Sequence, residues 1–246
     1  MKKHFLYKRR LWVIPMLILF LECKTLDNWE NPIGTASLEL GMVGFASDGI
    51  IGNNFKTIGT PLLTSKIRLK PEIRYINKKE FFRYQRFANQ RDLTYKLRYI
   101  DSISEKPEYV HLAISDRVGI IKSLNKAINV DIYQSIRTDD NLKIITTIDC
   151  VFSADYINLI RGAEAVYLYK DPNNIPIIQI AKEGKELNIP FKECVVLSYQ
   201  TSSFCWGKDK RREIKLMGLR KNKGPCAGHL ERTADKLIRD LNYFKL

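Results

Sequence analysis

Beyond residue 36, short runs in which apolar and polar residues alternate dominate the chain. Period two marks a strand with one buried face, and apolar spacing of three and four marks a helix. Over 37–46, Leu38, Leu40 and Met42 alternate and predict a strand, weakened by Gly41 and Gly44. Residues 47–61, SDGIIGNNFKTIGTP, predict a loop. This stretch lacks the Lys-Ser/Thr ending of a phosphate loop and the spacing of a dinucleotide fingerprint, so it implies no cofactor. Ile67, Leu69, Ile73 and Tyr75 alternate around Pro71 and predict an edge strand over 67–76, because proline donates nothing to a ladder. Over 78–92, Phe81, Tyr84 and Ala88 have helical spacing with no Gly or Pro between them. Leu93, Tyr95, Leu97 and Tyr99 alternate against Lys96 and Arg98 and predict a half-buried strand over 93–103.

The centre of the chain is the most regular. Residues 109–115 predict a strand, and Asp116 can cap a helix through Val118, Ile121, Leu124 and Ile128. Residues 130–137 read as a second strand, 138–141 as a turn and 142–152 as a third strand. Ser153 can cap a helix that runs through Ile160 and ends at Gly162. Strands over 163–170 and 175–182 flank a turn at 171–174. The expected fold is therefore α+β: an antiparallel sheet with ferredoxin-like β-α-β-β-α-β core order and extra strands. A further strand is expected over 193–200, and Ile214, Leu216 and Leu219 partly alternate within a basic stretch. Leu230, Ala234, Leu237, Ile238, Leu241 and Phe244 predict a C-terminal amphipathic helix over 227–244.

The first residues follow another pattern. Lys2, Lys3, Lys8, Arg9 and Arg10 precede an apolar run over 11–21 that is broken only by Pro15. That is the layout of a secretory signal peptide, and it is well short of the roughly 20 residues a membrane-crossing helix needs. Cys23 follows directly. Leu19, Phe20, Leu21, Glu22 and Cys23 resemble the signal of bacterial lipoproteins, although that family's pattern places a small residue where Glu22 stands. The resemblance implies acylation of Cys23, with palmitate-type chains, and retention on a membrane of the cell envelope. The expected organisation is a signal peptide over 1–22, a lipidated cysteine and polar tether over 23–36, and one α+β domain over 37–246. A buried N-terminal helix of a cytosolic protein and an uncleaved anchor are the alternatives.

Charge and cysteine content then narrow the partners. The formal charge is +14, and residues 23–246 keep 36 cationic against 26 acidic residues, or +10. A basic surface attracts polyanions. In an envelope these are anionic lipid or acidic polysaccharide, and in a cytosol nucleic acid. Two basic stretches stand out. Residues 66–99 hold 11 Lys/Arg against three acids, interleaved with aromatics that include Tyr75, Phe81, Phe82 and Tyr84. Residues 208–223 hold eight cations against two acids and include Lys208, Lys210, Arg211 and Arg212, the candidate anion-binding group. With Cys23 acylated, Cys150, Cys194, Cys205 and Cys226 remain, an even count that suggests two disulfides in one of three connectivities.

Catalytic signals are sparse. Cys194, Cys205, Cys226 and His229 have zinc-ligand residue types, but no paired CxxC knuckle frames them, so no metal site is expected. His111 lies in an apolar strand, and Asp116, Asp149 and Asp155 lie near strand ends, where helix caps are ordinary. Neither a GxSxG elbow nor an HExxH helix is present. The sequence thus reads as a lipid-anchored envelope protein acting as a non-catalytic binding or structural component with basic faces. The competing readings are an envelope hydrolase with unidentified carboxylate catalysts and a cytosolic nucleic-acid-binding protein.

Overall fold

A computed structural model describes residues 38–46, 55–88, 96–102, 105–221 and 224–243, with side chains through 238. Cys23, the expected signal and tether, residues 89–92 of the expected 78–92 helix, and residues 93–95 and 103 of the expected 93–103 strand lie outside the described residues.

One antiparallel sheet of ten strands organises them: β1 (Val43–Ala46), β2 (Phe55–Gly59), β3 (Ile67–Tyr75), β4 (Glu108–Ile114), β5 (Leu142–Val151), β6 (Ala165–Lys170), β7 (Pro176–Lys182), β8 (Lys185–Pro190), β9 (Val195–Lys208) and β10 (Ile214–Lys221). The order is β10-β9-β5-β4-β3-β6-β7-β8. β1 adds to the Leu142–Ile144 end of β5, and β2 adds to β1. The helices are α1 (Lys78–Ala88), α2 (Arg117–Leu124), α3 (Val130–Thr138), α4 (Ala154–Arg161) and α5 (Ala234–Tyr243).

Strand alternation divides the core in two. Val110, Leu112 and Ile114 of β4 point to one face, where they meet Ile120 and Leu124 of α2, Ile136 of α3, Ile157 and Ile160 of α4, and Ala234 and Leu237 of α5. Tyr109 points to the other face and joins Tyr84 of α1, Ile76, Val151, Val195 and Leu197. Each fully buried Ile or Leu contributes roughly 1.5–3 kcal/mol, so the first, larger cluster dominates stability.

The α+β class is as expected, but the sheet order is not ferredoxin-like. The cause is residues 130–137, which form α3 and not a strand. Val130, Ile132 and Ile136 fit alternation, yet Ile132, Tyr133 and Ile136 also fit a helix face. Ile136 is fully buried while Val130 is half exposed. A strand followed by one helix returns in parallel. A second helix reverses the chain once more, so β5 lies antiparallel beside β4. α3 is tied down by Asn129, whose buried amide donates to the carbonyls of Leu62 and Ser123 and accepts from the Leu62 N–H.

Other expectations also change. The strand over 37–46 is confined to β1, because Gly41 adopts φ +87° in a turn that joins β5 through its N–H to the Ile145 carbonyl. Gly44 lies so close to β2 that any side chain would collide with the Lys56 carbonyl. β2 occupies part of the expected loop over 47–61. β3 is not a simple edge: β6 pairs with Ile67–Leu69 and β4 with Leu69–Tyr75, so Pro71 faces no partner on the β6 side. Residues 96–100 keep alternating exposure but join no ladder. They lie on α1, where Tyr99 stacks on Phe81 at 5.2 Å and the Leu97 N–H donates to the Tyr84 hydroxyl. The expected C-terminal helix over 227–244 is shortened to α5, because residues 226–231 turn back along β9. Asp116 caps α2 through the Gly119 N–H, and Ser153 caps α4 through the Tyr156 N–H, both as expected.

Candidate anion-binding groove

Of the cationic group, Lys208 ends β9, and Lys210, Arg211 and Arg212 occupy the turn between β9 and β10. Asp209 builds that turn. Its carboxylate accepts the N–H groups of Arg211 and Glu213, and the Lys215 ammonium lies 2.5 Å away. Those contacts hold the Asp209 carboxyl below its ordinary range, the Lys215 hydrogen bond most strongly. Arg212 takes the left-handed conformation at φ 63° and donates its N–H to the Asp209 carbonyl.

Arg212 lines a groove, and the other three do not. The groove has a volume of about 640 Å³ and runs between α3, the start of β10 and α5. Ala127, Val130, Ile214 and Ile238 supply apolar lining. Tyr133 anchors the wall: its hydroxyl donates to the Ile214 carbonyl and its ring meets Trp206 edge-on at 5.6 Å. Burial pushes the Tyr133 hydroxyl pKa up, so it stays neutral. Around the apolar lining stand Lys126, Arg137, Arg212 and Lys215, with Glu213 the acid among them. Lys215 is neutralised by Asp209 and Glu213. Among the described residues, Lys126, Arg137 and Arg212 form no ion pair and carry net positive charge into the groove.

A second cavity of about 160 Å³ is lined by Arg220, Arg232, Asp140 and Trp206 among others. Burial, and then the neighbouring Arg232, lower the Arg220 pKa. Burial pushes the Asp140 carboxyl up, helped by Asp235 and Asp139.

The other basic stretch, 66–99, does not form one continuous stacking surface. Phe81 and Tyr84 turn into the smaller core, whereas Tyr75 and Phe82 remain exposed. Lys66 pairs with Glu186, and Lys70 and Arg74 both pair with Glu72, whose carboxyl falls to about 2 chiefly through the Arg74 hydrogen bond.

The cysteines sort into two pairs. Cys205 and Cys226 form a disulfide that fastens β9 to the 226–231 return, where Trp206 and Glu231 exchange both backbone hydrogen bonds. Cys226 is therefore not a zinc ligand, His229 is exposed, and no metal-binding cluster of His, Cys, Asp or Glu occurs among the described residues. Cys150 on β5 and Cys194 just before β9 are buried, with sulfurs 3.4 Å apart.

His111 and Asp149 form the constellation that sequence reading treated separately. They are paired across β4 and β5, Asp149 is paired with Ser198 across β5 and β9, and all three occupy the α1 face. His111 Nδ1 lies 2.6 Å from Asp149 Oδ1, and the Ser198 hydroxyl donates to Asp149 Oδ2. The carboxylate stands between the hydroxyl and the imidazole. Ser198 is therefore not hydrogen-bonded to a base that could activate it through the ring, as a nucleophilic triad requires. The arrangement orients His111 and satisfies a largely buried carboxylate. Asp116 is a helix cap, and Asp155 sits in the first turn of α4.

No protein-family model, no curated protein and no solved structure matches this chain.

Proposed function

We propose that the protein is exported, held on a cell-envelope membrane by acylated Cys23, and acts without catalysis as a binding component for anionic envelope material. One observation carries the binding part: Lys126, Arg137 and Arg212 converge on one groove without acidic partners of their own. A guanidinium offers a planar fork of donors suited to phosphate or carboxylate, and each cation near an anionic leaflet is worth about 1 kcal/mol.

The export part rests on the charged start, the short apolar run and Cys23. Incorporation of labelled fatty acid that disappears in Cys23→Ala is the expected result. Labelling unchanged by that substitution, or absent from the natural chain, defeats the anchor. In an oxidising compartment, a disulfide-bonded donor protein accepts the two electrons as Cys150 and Cys194 lose their thiol protons and join. A thiol count on denatured, unreduced protein is then zero for these two pairs, and four reactive thiols contradict the compartment.

A further inference from the structure

We infer that the groove between α3 and β10 holds one molecule of an anionic single-chain amphiphile. Its phosphate lies against Lys126, Arg137 and Arg212, and its acyl chain runs along Val130, Ile214 and Ile238. This deepens the anionic-ligand reading above and rests on it.

Three observations favour an amphiphile over a polyanion or a bilayer surface. First, the lining combines four apolar side chains with four cations, Glu213, Asn125, Tyr133 and Gln134. Ala127, Val130, Ile214 and Ile238 offer no side-chain donor or acceptor, so a sugar chain would leave its hydroxyls without side-chain partners there. An acyl chain leaves no polar group unsatisfied by entering, and each methylene removed from water gains roughly 0.8 kcal/mol against the cost of ordering the chain. Second, apolar surface is presented to solvent at this point. Val130, which lines the groove, is 49% exposed. Third, the volume of about 640 Å³ falls within the span of roughly 300–1,000 Å³ typical of small-molecule sites. Bilayer headgroups can reach the exposed Lys126 and Arg212, whereas the apolar lining between a helix and a strand is open to a single chain.

The charge is matched to the same ligand. Asp209 and Glu213 neutralise Lys215, so of the four cations at the groove three are left to face a phosphate. Arg137 is half buried beside Tyr133, and Lys126 and Arg212 are exposed. A headgroup on the exposed cations therefore remains partly in water while the chain is covered.

Calorimetry on the full chain tests this with three monomeric probes: lysophosphatidylglycerol, lysophosphatidylcholine with the same chain, and glycerol 3-phosphate. The expected result is that lysophosphatidylglycerol binds at least tenfold more tightly than either of the others. Val130→Asp, at a position already half exposed, removes its advantage over glycerol 3-phosphate, and Val130→Ser reduces it. Arg137→Glu combined with Arg212→Glu removes its advantage over lysophosphatidylcholine. Equal affinity for lysophosphatidylglycerol and glycerol 3-phosphate overturns the acyl-chain assignment, and equal affinity for the two lysolipids overturns the headgroup assignment. Co-sedimentation with phosphatidylglycerol vesicles separates the two levels. Vesicle binding without uptake of the monomer overturns this inference and leaves the anionic-ligand reading intact. Failure of both defeats both.

Discussion

The disulfide between Cys205 and Cys226 permits a quantitative test. It closes a loop of 21 residues of sequence separation. Removing the cross-link frees the unfolded chain, and the loop-entropy relation gives about 3 kcal/mol for a loop of that length. Cys226→Ser suits the test because Cys226 is half buried while Cys205 is packed within β9, so the change at Cys226 disturbs the core least. The backbone exchange between Trp206 and Glu231 does not use the Cys226 side chain, so it remains to hold Glu231 beside β9. For a domain of this size, 1 kcal/mol moves the midpoint by about 2–4 °C, so thermal unfolding followed by circular dichroism should fall by roughly 6–12 °C. Urea unfolding gives the free energy directly, with an unchanged slope if the native state is intact. A loss under about 1 kcal/mol would mean that the bridge constrains little, and the account of how the segment from Cys226 is held would fail.

Further outcomes follow from individual contacts. Asp149→Ala strands the His111 Nδ1–H and the Ser198 hydroxyl, and should cost about 1–3 kcal/mol in urea unfolding; an unchanged midpoint contradicts the bonding across β4, β5 and β9. Asn129→Ala removes three bonds that seat α3 on Leu62 and Ser123, with an expected loss of about 2–3 kcal/mol; local hydrogen exchange at α3 should accelerate with it. The folded state holds the Asp140 carboxyl above its ordinary range, so its ionisation weakens the fold as pH rises through and above 3.8. Asp140→Asn should therefore raise the unfolding midpoint at neutral pH and leave it unchanged below the ordinary carboxyl range. A loss of stability at neutral pH would reverse that sign.

Much of the sheet was legible because its strands bury one or both faces. β4, β5, β6 and β7 carry apolar residues wherever the larger core requires them, and Asp116, Ser153 and Gly162 punctuate them as caps and stops. The failures have physical causes. At 130–137 one apolar set satisfies both periods, and only the packing of Ile136 against the sheet decides between them. At 96–100 the alternation is real, but the partner is a helix and not a strand, a distinction alternation does not carry. β8 buries only Ile189 and so leaves almost no apolar signal.

The groove was legible only in part. Arg212 belonged to an evident basic run, but the lining comes from residues 125–137, 212–215 and 238, which chain folding alone brings together. The run Lys208–Arg212 looked like one cationic patch. The Asp209 turn instead separates Arg212, which faces the groove, from neighbours that do not line it. Likewise, cysteine count favoured two pairs, while only the approach of residues 226–231 to β9 selected Cys205 with Cys226.

The central claim is that this groove gives the protein its affinity for anionic envelope material. Binding to phosphatidylcholine vesicles with and without phosphatidylglycerol, across a salt series, tests it most directly. Cys23→Ala protein, which carries no acyl anchor, should bind only the anionic vesicles and release them as salt rises. At about 1 kcal/mol per cation, Arg137→Glu with Arg212→Glu should weaken that binding by about 30-fold or more. Binding that is indifferent to lipid charge, or an unaltered affinity in the double variant, would contradict the account.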